Sequence, residues 1–305
     1  MFFANHSKLL EKAQKGKYAV PHFNFYNLET LQSFIEAAEK TKSPLILAVS
    51  ESGIKYAGLQ NITILAKTAA HFSKIPVSLH LDHGRDFNLI KKCLHLGFSS
   101  IMYDGSYLPF KKNIQNTKAI VRLANKYRIP VEAELGQLKG IEDNVSSKYS
   151  YYTNPQQAKK FVFLTHCNSL AVSIGTSHGI YKFKDKPNLN FEILKEIKEL
   201  TSIPLVLHGA SSIPIPLVKQ ANKYGAKIKN AKGLPDSQIK KSIKLGICKV
   251  NEDSDFRLAF VSSLRKNLYL NKKETNPREF FSAAKKEMTN LAIKRIKLLG
   301  SINKT

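Results

Sequence analysis

The sequence predicts an α/β chain folded as a (β/α)8, or TIM, barrel with extra N- and C-terminal helices, one domain over residues 1–305. Three observations carry this expectation. Eight short apolar runs recur along the chain, rich in Val, Ile and Leu and without strict polar alternation, as parallel strands buried on both faces require. Segments with helical periodicity separate them. Several runs are introduced by proline (Ser43-Pro44, Ile75-Pro76, Ile129-Pro130, Ile203-Pro204), which ends the preceding helix just before a strand.

In chain order, His6–Lys15 reads as a helix ahead of the first strand, Tyr18–Asn24. Leu28–Thr41 follows as a helix, with Leu31, Phe34, Ile35 and Ala38 on one face. Strand Leu45–Ser50 leads to helix Asn61–Phe72, strand Val77–Asp82 to helix Phe87–Leu96, and strand Ser100–Asp104 to helix Lys111–Tyr127. After strand Val131–Leu135 comes a long connection, Gly136 to Asn154, whose glycines and serines predict a mobile lid. Helix Pro155–Cys167, strand Leu170–Gly175 and helix Phe191–Leu200 continue the alternation. Strand Leu205–Gly209 precedes helices Pro216–Tyr224 and Ser237–Leu245, between which Gly225–Pro235 interrupts the helical layer. Strand Cys248–Glu252 is the last, and helices Asp253–Leu270 and Pro277–Leu299 flank the barrel.

Composition narrows the class. A hydrophobic content of 43% with 10% aromatics supports a packed core and excludes wholesale disorder. No apolar run approaches a membrane span, and the start shows no secretory pattern. Cys93, Cys167 and Cys248 make neither a disulfide framework nor a CxxC site, so a soluble, cytoplasmic protein is expected. The net charge of +25 suggests an anionic partner, either a phosphorylated small molecule or nucleic acid. Lysine is spread almost everywhere, as on a solvated surface, and no helix-turn-helix, RNP or zinc-finger pattern is present.

A barrel builds its site from the C-terminal ends of its strands, and here every one of those ends is polar. The first ends at Asn24, the second at Ser50-Glu51, and the third at His80-Leu81-Asp82-His83-Gly84. The fourth ends at Asp104, the fifth at Glu132-Ala133-Glu134, and the sixth runs into Gly175-Thr176-Ser177-His178-Gly179. The seventh ends at His208-Gly209-Ala210-Ser211-Ser212 and the eighth at Asn251-Glu252-Asp253-Ser254. His83, His178 and His208 come from three strands and can converge on one ion, leaving an open coordination position as in a catalytic zinc site. Asp82 then faces the same cavity and can exchange a proton with a substrate hydroxyl, or support a histidine ring. Asp104 and Glu134 are oxygen ligands suited to a harder or second cation, or else buried hydrogen-bond partners. Gly179, Gly209 and Ser211-Ser212 permit close backbone approach to a phosphate, and Asn251–Ser254 opens a helix whose N-terminus also favours anions. The remaining histidines, among them His6, His22 and His80, read as ordinary structural residues, with His80 pointing into the barrel.

The segments HLDHG (His80–Gly84), GFSSIMYDGS (Gly97–Ser106), EAELG (Glu132–Gly136), GTSHG (Gly175–Gly179), LHGASSIP (Leu207–Pro214) and KVNEDSD (Lys249–Asp255) closely resemble the class II, metal-dependent fructose-bisphosphate aldolases, in order over nearly the whole chain. The resemblance implies zinc held by His83, His178 and His208, with Asp82 as the catalytic acid/base. It implies a second or displaced divalent metal at Asp104 and Glu134, with a monovalent cation as a further candidate. Asn24 and Ser50 match substrate contacts, and Gly179, Gly209, Ala210, Ser211, Asn251, Glu252, Asp253 and Ser254 match the segments that hold dihydroxyacetone phosphate. Glu142 matches the loop carboxylate that exchanges its proton. The implied reaction is reversible cleavage of fructose 1,6-bisphosphate, by a homodimer or homotetramer. A tagatose-bisphosphate aldolase, another metal-dependent barrel enzyme and a basic nucleic-acid binder are the alternatives, though His22-Phe23-Asn24 is a poor HxH for a hydrolase. Three positions depart from the family: Glu252 stands where Thr, Ile or Val is usual, Ser254 replaces Thr, and Lys139 replaces glycine. A carboxylate at Glu252 would repel a phosphate unless strand alternation turns it away.

Overall fold

The computed structural model describes residues 2–142, 145–147, 151–180 and 187–305, with the side chains of residues 139–142 and 145–147 outside that description. Helix α1 (His6–Gly16) precedes strand β1 (Val20–Asn24), and α2 (Leu28–Thr41) leads to β2 (Leu45–Ser50). Helices α3 (Glu51–Ala57) and α4 (Leu59–Phe72) precede β3 (Val77–Gly84), then come α5 (Phe87–His95), β4 (Ser100–Tyr103), α6 (Phe110–Asn125) and β5 (Val131–Leu135). Strands β6 (Lys139–Glu142) and β7 (Val145–Ser147) lie ahead of α7 (Pro155–Thr165), β8 (Ser169–Val172), β9 (Ser177–His178) and α8 (Phe191–Thr201). The chain ends with β10 (Leu205–Leu207), α9 (Ile215–Lys223), α10 (Asp236–Lys244), β11 (Ile247–Glu252), α11 (Ser254–Leu270) and α12 (Pro277–Leu299).

Eight strands close into a barrel in the order β1-β11-β10-β8-β5-β4-β3-β2, every pair parallel. Every residue of these strands is buried, the reason their sequences are apolar runs rather than alternating ones. Helix starts are set by local chemistry. Asn27 and Thr30 form a capping box at α2, and Asn276 caps α12, which opens on Pro277 and ends at Gly300 in the left-handed region. Helix α1 buries Leu9, Leu10 and Ala13 against Val20, Ile46 and Cys248, near the starts of their strands.

At the other end of the chain, α12 packs along α2 and α11. Ala19 donates its amide to Leu299 at 3.0 Å, and Ser43 pairs with Ser301 at 2.7 Å. The flanking helices therefore belong to the barrel wall.

Two features depart from the sequence expectation. The connection after β5, expected as a mobile lid, carries two strands that the sequence reading did not assign, β6 and β7, which join β9 in a small three-stranded sheet. Helix α3, which is short and follows β2 with no spacer, is absent from the sequence reading; Ser50 caps it by accepting from the amide of Gly53. All three cysteines are buried free thiols. Among the described residues no helix is long and apolar enough to cross a membrane.

Candidate active site

Strand alternation points His22 and Asn24, His80 and Asp82, Glu132 and Glu134, and Lys249 and Asn251 into the barrel. His83 should then point outward, yet it does not. It adopts φ 47°, and the β3–β4 register shifts between Leu81 and Gly84. This local kink turns Asp82 and His83, though consecutive, toward one cavity.

His83, His178 and His208 converge there, with one ligand nitrogen from each lying within 4.8 Å of the others. His208 comes from the end of β10 and His178 from β9, which is held in place through pairing of its Ser177 and His178 with Lys139 and Gly140 of β6. His83 Nε2 lies 3.1 Å from His208 Nδ1. His208 Nε2 donates to Glu132 at 2.9 Å, so the network assigns the lone pair to His208 Nδ1. His83 Nδ1 donates to Asp104 at 3.3 Å. Burial opposes protonation of His83, but the charges of Asp82, Asp104 and Glu134 outweigh it and hold its pKa well above the usual imidazole value. Glu134 Oε2 makes no hydrogen bond and lies 3.7 Å from His83 Nδ1; burial and Asp104 push its pKa well up. Three facing imidazoles beside a carboxylate oxygen without a donor form a donor set that fits a zinc-class ion.

Asp104 and Glu134, expected as ligands of a second cation, do come together in the same cavity. With His83, their ligand atoms also lie within 4.8 Å of one another. However, Arg85 grips Asp104 Oδ2 through Nε at 3.0 Å and Nη2 at 2.7 Å, while Ser106 occupies Oδ1. Burial would raise the Asp104 pKa, but His83 and Arg85 hold it far below the carboxylate range. A guanidinium thus already supplies positive charge where the second cation was expected.

Asp82 is held from two sides. Asn24 donates to Oδ2 at 2.8 Å and Asn251 to Oδ1 at 3.3 Å. Ser50 lies beside it, paired in register on β2. Gly209 sits at φ 62°, where a Cβ would come within 2.5 Å of the Ser177 carbonyl, so only glycine lets the loops after β8 and β10 approach. Gly179 is likewise left-handed at φ 83°. The amide of Asp253 donates to Ser211 Oγ, and the amide of Ala210 to the Asn251 carbonyl. Asp253 sends its carboxylate to Arg257 at 2.6 Å and makes no side-chain cap, leaving the first amides of α11, from Ser254, uncapped by it. The Ser212 amide, expected to face a phosphate, donates to Asp255 at 2.9 Å, so that part of the loop is already occupied.

Glu252, grouped with the substrate contacts, faces outward. Its carboxylate accepts from Arg295 of α12 at 2.8 and 2.9 Å, and Arg295 also reaches Asp236 and Ser212. Alternation beside Asn251 sends it there, which removes the repulsion a phosphate would have felt. Glu142 ends β6, and its side chain lies outside the described residues, as does that of Lys139.

Sequence reasoning missed Glu132 and Lys249. Lys249, fully buried, donates to both oxygens of Glu132 at 2.8 and 3.0 Å, and Glu132 in turn orients His208. The signal was present in the alternation of Lys249 with Asn251, but a lone lysine in a strand is unremarkable until its partner across the barrel is known.

A closed parallel barrel with three histidines and an aspartate at its rim has the make-up of a (β/α)8 enzyme whose side chains could hold a metal ion. Residues 4–304 match the family model for fructose-bisphosphate aldolase class-II. The chain is 44% identical over 301 residues to the fructose-bisphosphate aldolase of Helicobacter pylori strain 26695, covering 98% of each. It is 39% identical over 302 residues to the D-tagatose-1,6-bisphosphate aldolase subunit GatY of Klebsiella oxytoca, again covering 98% of each. It superposes on the crystal structure of the YdjI aldolase of Escherichia coli K12 with a TM-score of 0.81 at 32% identity, over 99% of both chains. The chain belongs to the class II fructose-bisphosphate aldolase family.

Proposed function

We propose that the chain, acting as one catalytic domain over residues 1–305, catalyses the reversible cleavage of fructose 1,6-bisphosphate to dihydroxyacetone phosphate and glyceraldehyde 3-phosphate. The observation that carries this reading is the meeting of His83, His178 and His208 beside an aspartate held by two asparagine amides. His83, His178 and His208 would hold zinc, which supplies a Lewis acid for the substrate ketone when bound. Asp82 takes the C4 hydroxyl proton, the C3–C4 bond breaks, and its electron pair remains on C3 as an enediolate. Glu142 returns a proton to C3, completing dihydroxyacetone phosphate. Asn24 and Asn251 keep the Asp82 carboxylate fixed through the cycle, while Ser50 contacts the substrate hydroxyls. Gly179, Gly209, Ala210, Ser211 and the α11 start at Asp253–Ser254 line the place that receives the phosphate, with the first amides of α11 and its helix dipole favouring the anion, while the Ala210 and Asp253 amides, already bonded within the site, shape the loop. The enzyme works in the cytoplasm, in glycolysis and gluconeogenesis, as a homodimer or homotetramer.

The test is side-by-side turnover on fructose 1,6-bisphosphate and its tagatose epimer, before and after chelation. The expected result is preference for the fructose substrate, loss of activity with EDTA, and recovery on adding zinc. Preference for the tagatose epimer, as the name of the Klebsiella relative invites, would reassign the substrate. Activity that resists EDTA but is lost to borohydride in the presence of substrate would overturn the mechanism.

A further inference from the structure

Below the rim lies a second group of buried ligand atoms, in which two histidines that the proposed reaction does not use stand beside Asp82. His22 on β1 and His80 on β3 both point inward, their rings edge-on at 5.3 Å. One ligand atom each of His22, His80 and Asp82 lies within 4.8 Å of the other two. His22 Nε2 is 3.6 Å from Asp82 Oδ1. A tetrahedral ion with ligands at about 2.1 Å has ligand–ligand edges of about 3.4 Å, so this pair is already spaced for coordination.

The rings are held as ligands are held. His80 Nδ1 pairs with Ser100 Oγ at 2.9 Å, and its face stacks on His6 at 5.4 Å, leaving Nε2 for a ligand bond. Asn24 occupies Asp82 Oδ2, while Oδ1 keeps only the longer contact to Asn251 and faces His22. Both histidines are fully buried, and neither nitrogen of His22 nor Nε2 of His80 has a hydrogen-bond partner. Three buried imidazole nitrogens without partners are costly unless something fills the space between them. Lys249, the neighbouring cation, is itself neutralised by Glu132.

We propose that His22, His80 and Asp82 form a second site for a divalent transition metal, distinct from the three-histidine centre, and that its occupation inhibits the enzyme. Two imidazoles and one carboxylate select zinc, cobalt or nickel over magnesium or calcium. The inhibition follows because a bound ion takes the Asp82 oxygen that would accept the substrate proton; this part rests on the role proposed for Asp82, whereas the site itself does not.

The test uses crystals of the zinc-loaded protein grown with excess zinc, with anomalous difference maps recorded on both sides of the zinc edge. The expected map has a peak between His22, His80 and Asp82 in addition to one at the three-histidine centre. A water there, with no anomalous signal, overturns the site without touching the proposed reaction. In solution, wild type should bind one more zinc per chain than His22→Gln by equilibrium dialysis; equal stoichiometry also overturns the site. Filling the second site should lower turnover of wild type at least tenfold and leave His22→Gln unaffected. A peak with unchanged turnover overturns the inhibitory role. Should the protein cleave neither bisphosphate, the maps and the dialysis still decide the site, and should His22→Gln fail to fold, the wild-type maps decide it alone.

Discussion

Asp82 and His83 show how a single backbone angle assigns two chemistries to neighbouring residues. Without the left-handed φ at His83, the imidazole would face the helical layer and the histidine centre would lose a member. Asp82 is fixed by Asn24 and Asn251 and is not one of the three imidazoles that converge as the histidine centre. Replacing Asp82 by Ala should therefore lower kcat by about 10²- to 10⁴-fold while zinc content stays at the wild-type level. Metal analysis of the purified variant beside its steady-state rate checks both halves. A near-normal rate would refute the role of Asp82, and loss of the metal would make it a support of the centre instead.

Helix α12 joins distant parts of the fold. Its Arg295 ends, almost fully buried, on Glu252 of β11, on Asp236 at the start of α10 and on Ser212 in the loop after β10. One side chain thus ties the last barrel strand, a wall helix and a site loop together. Truncating one partner of a buried ion pair leaves an uncompensated charge, whereas replacing both does not. Arg295→Met should cost about 3–5 kcal/mol of unfolding free energy. The double variant Glu252→Met with Arg295→Met should recover most of that loss. Urea denaturation of the three proteins measures it; a double variant as unstable as the single one would show that the pair itself holds the fold.

Across the whole molecule, the barrel interior is ionic where most barrels are aliphatic. Glu132 on β5 and Lys249 on β11 meet inside it, with no solvent exposure. Burial would raise the Glu132 pKa, but Lys249 and His208 pull it down to about 2. A carboxylate with a depressed folded-state pKa stabilises above its unfolded value, and that contribution is lost as pH falls toward the folded one. Wild-type stability should thus decline between about pH 4.5 and 2. Glu132→Gln, which strands Lys249, should be about 3–5 kcal/mol less stable at pH 7, with the gap narrowing in acid. Urea midpoints at pH 7, 4 and 3 read this directly, and a gap independent of pH would contradict it. The surface excess of lysine plays no part in this interior, and the net charge of +25 fits a solvated exterior.

The eight strands and the helices between them were legible because a buried parallel strand must be apolar along its whole length, and a wall helix must be apolar on one face. Strands Leu45–Ser50 and Val131–Leu135 and helices Leu28–Thr41 and Pro277–Leu299 fall at the expected residues. The polar ends were legible for the same reason, since a polar residue closing an apolar run lies at the rim. Strand alternation even foretold that Glu252 could turn from the site. What a linear pattern does not carry is which distant residues meet. That Arg295 receives Glu252, that Arg85 stands on Asp104, and that Lys249 finds Glu132 across the barrel follow from closure of the sheet, which joins β1 to β11. By itself the sequence determined a (β/α)8 barrel, its rim and the residue types gathered there, because periodicity and burial are local constraints. Only the tertiary structure decided the facing of His83, the small sheet that holds His178 and the pairing of the buried charges, because these depend on register and on contacts between residues far apart in the chain.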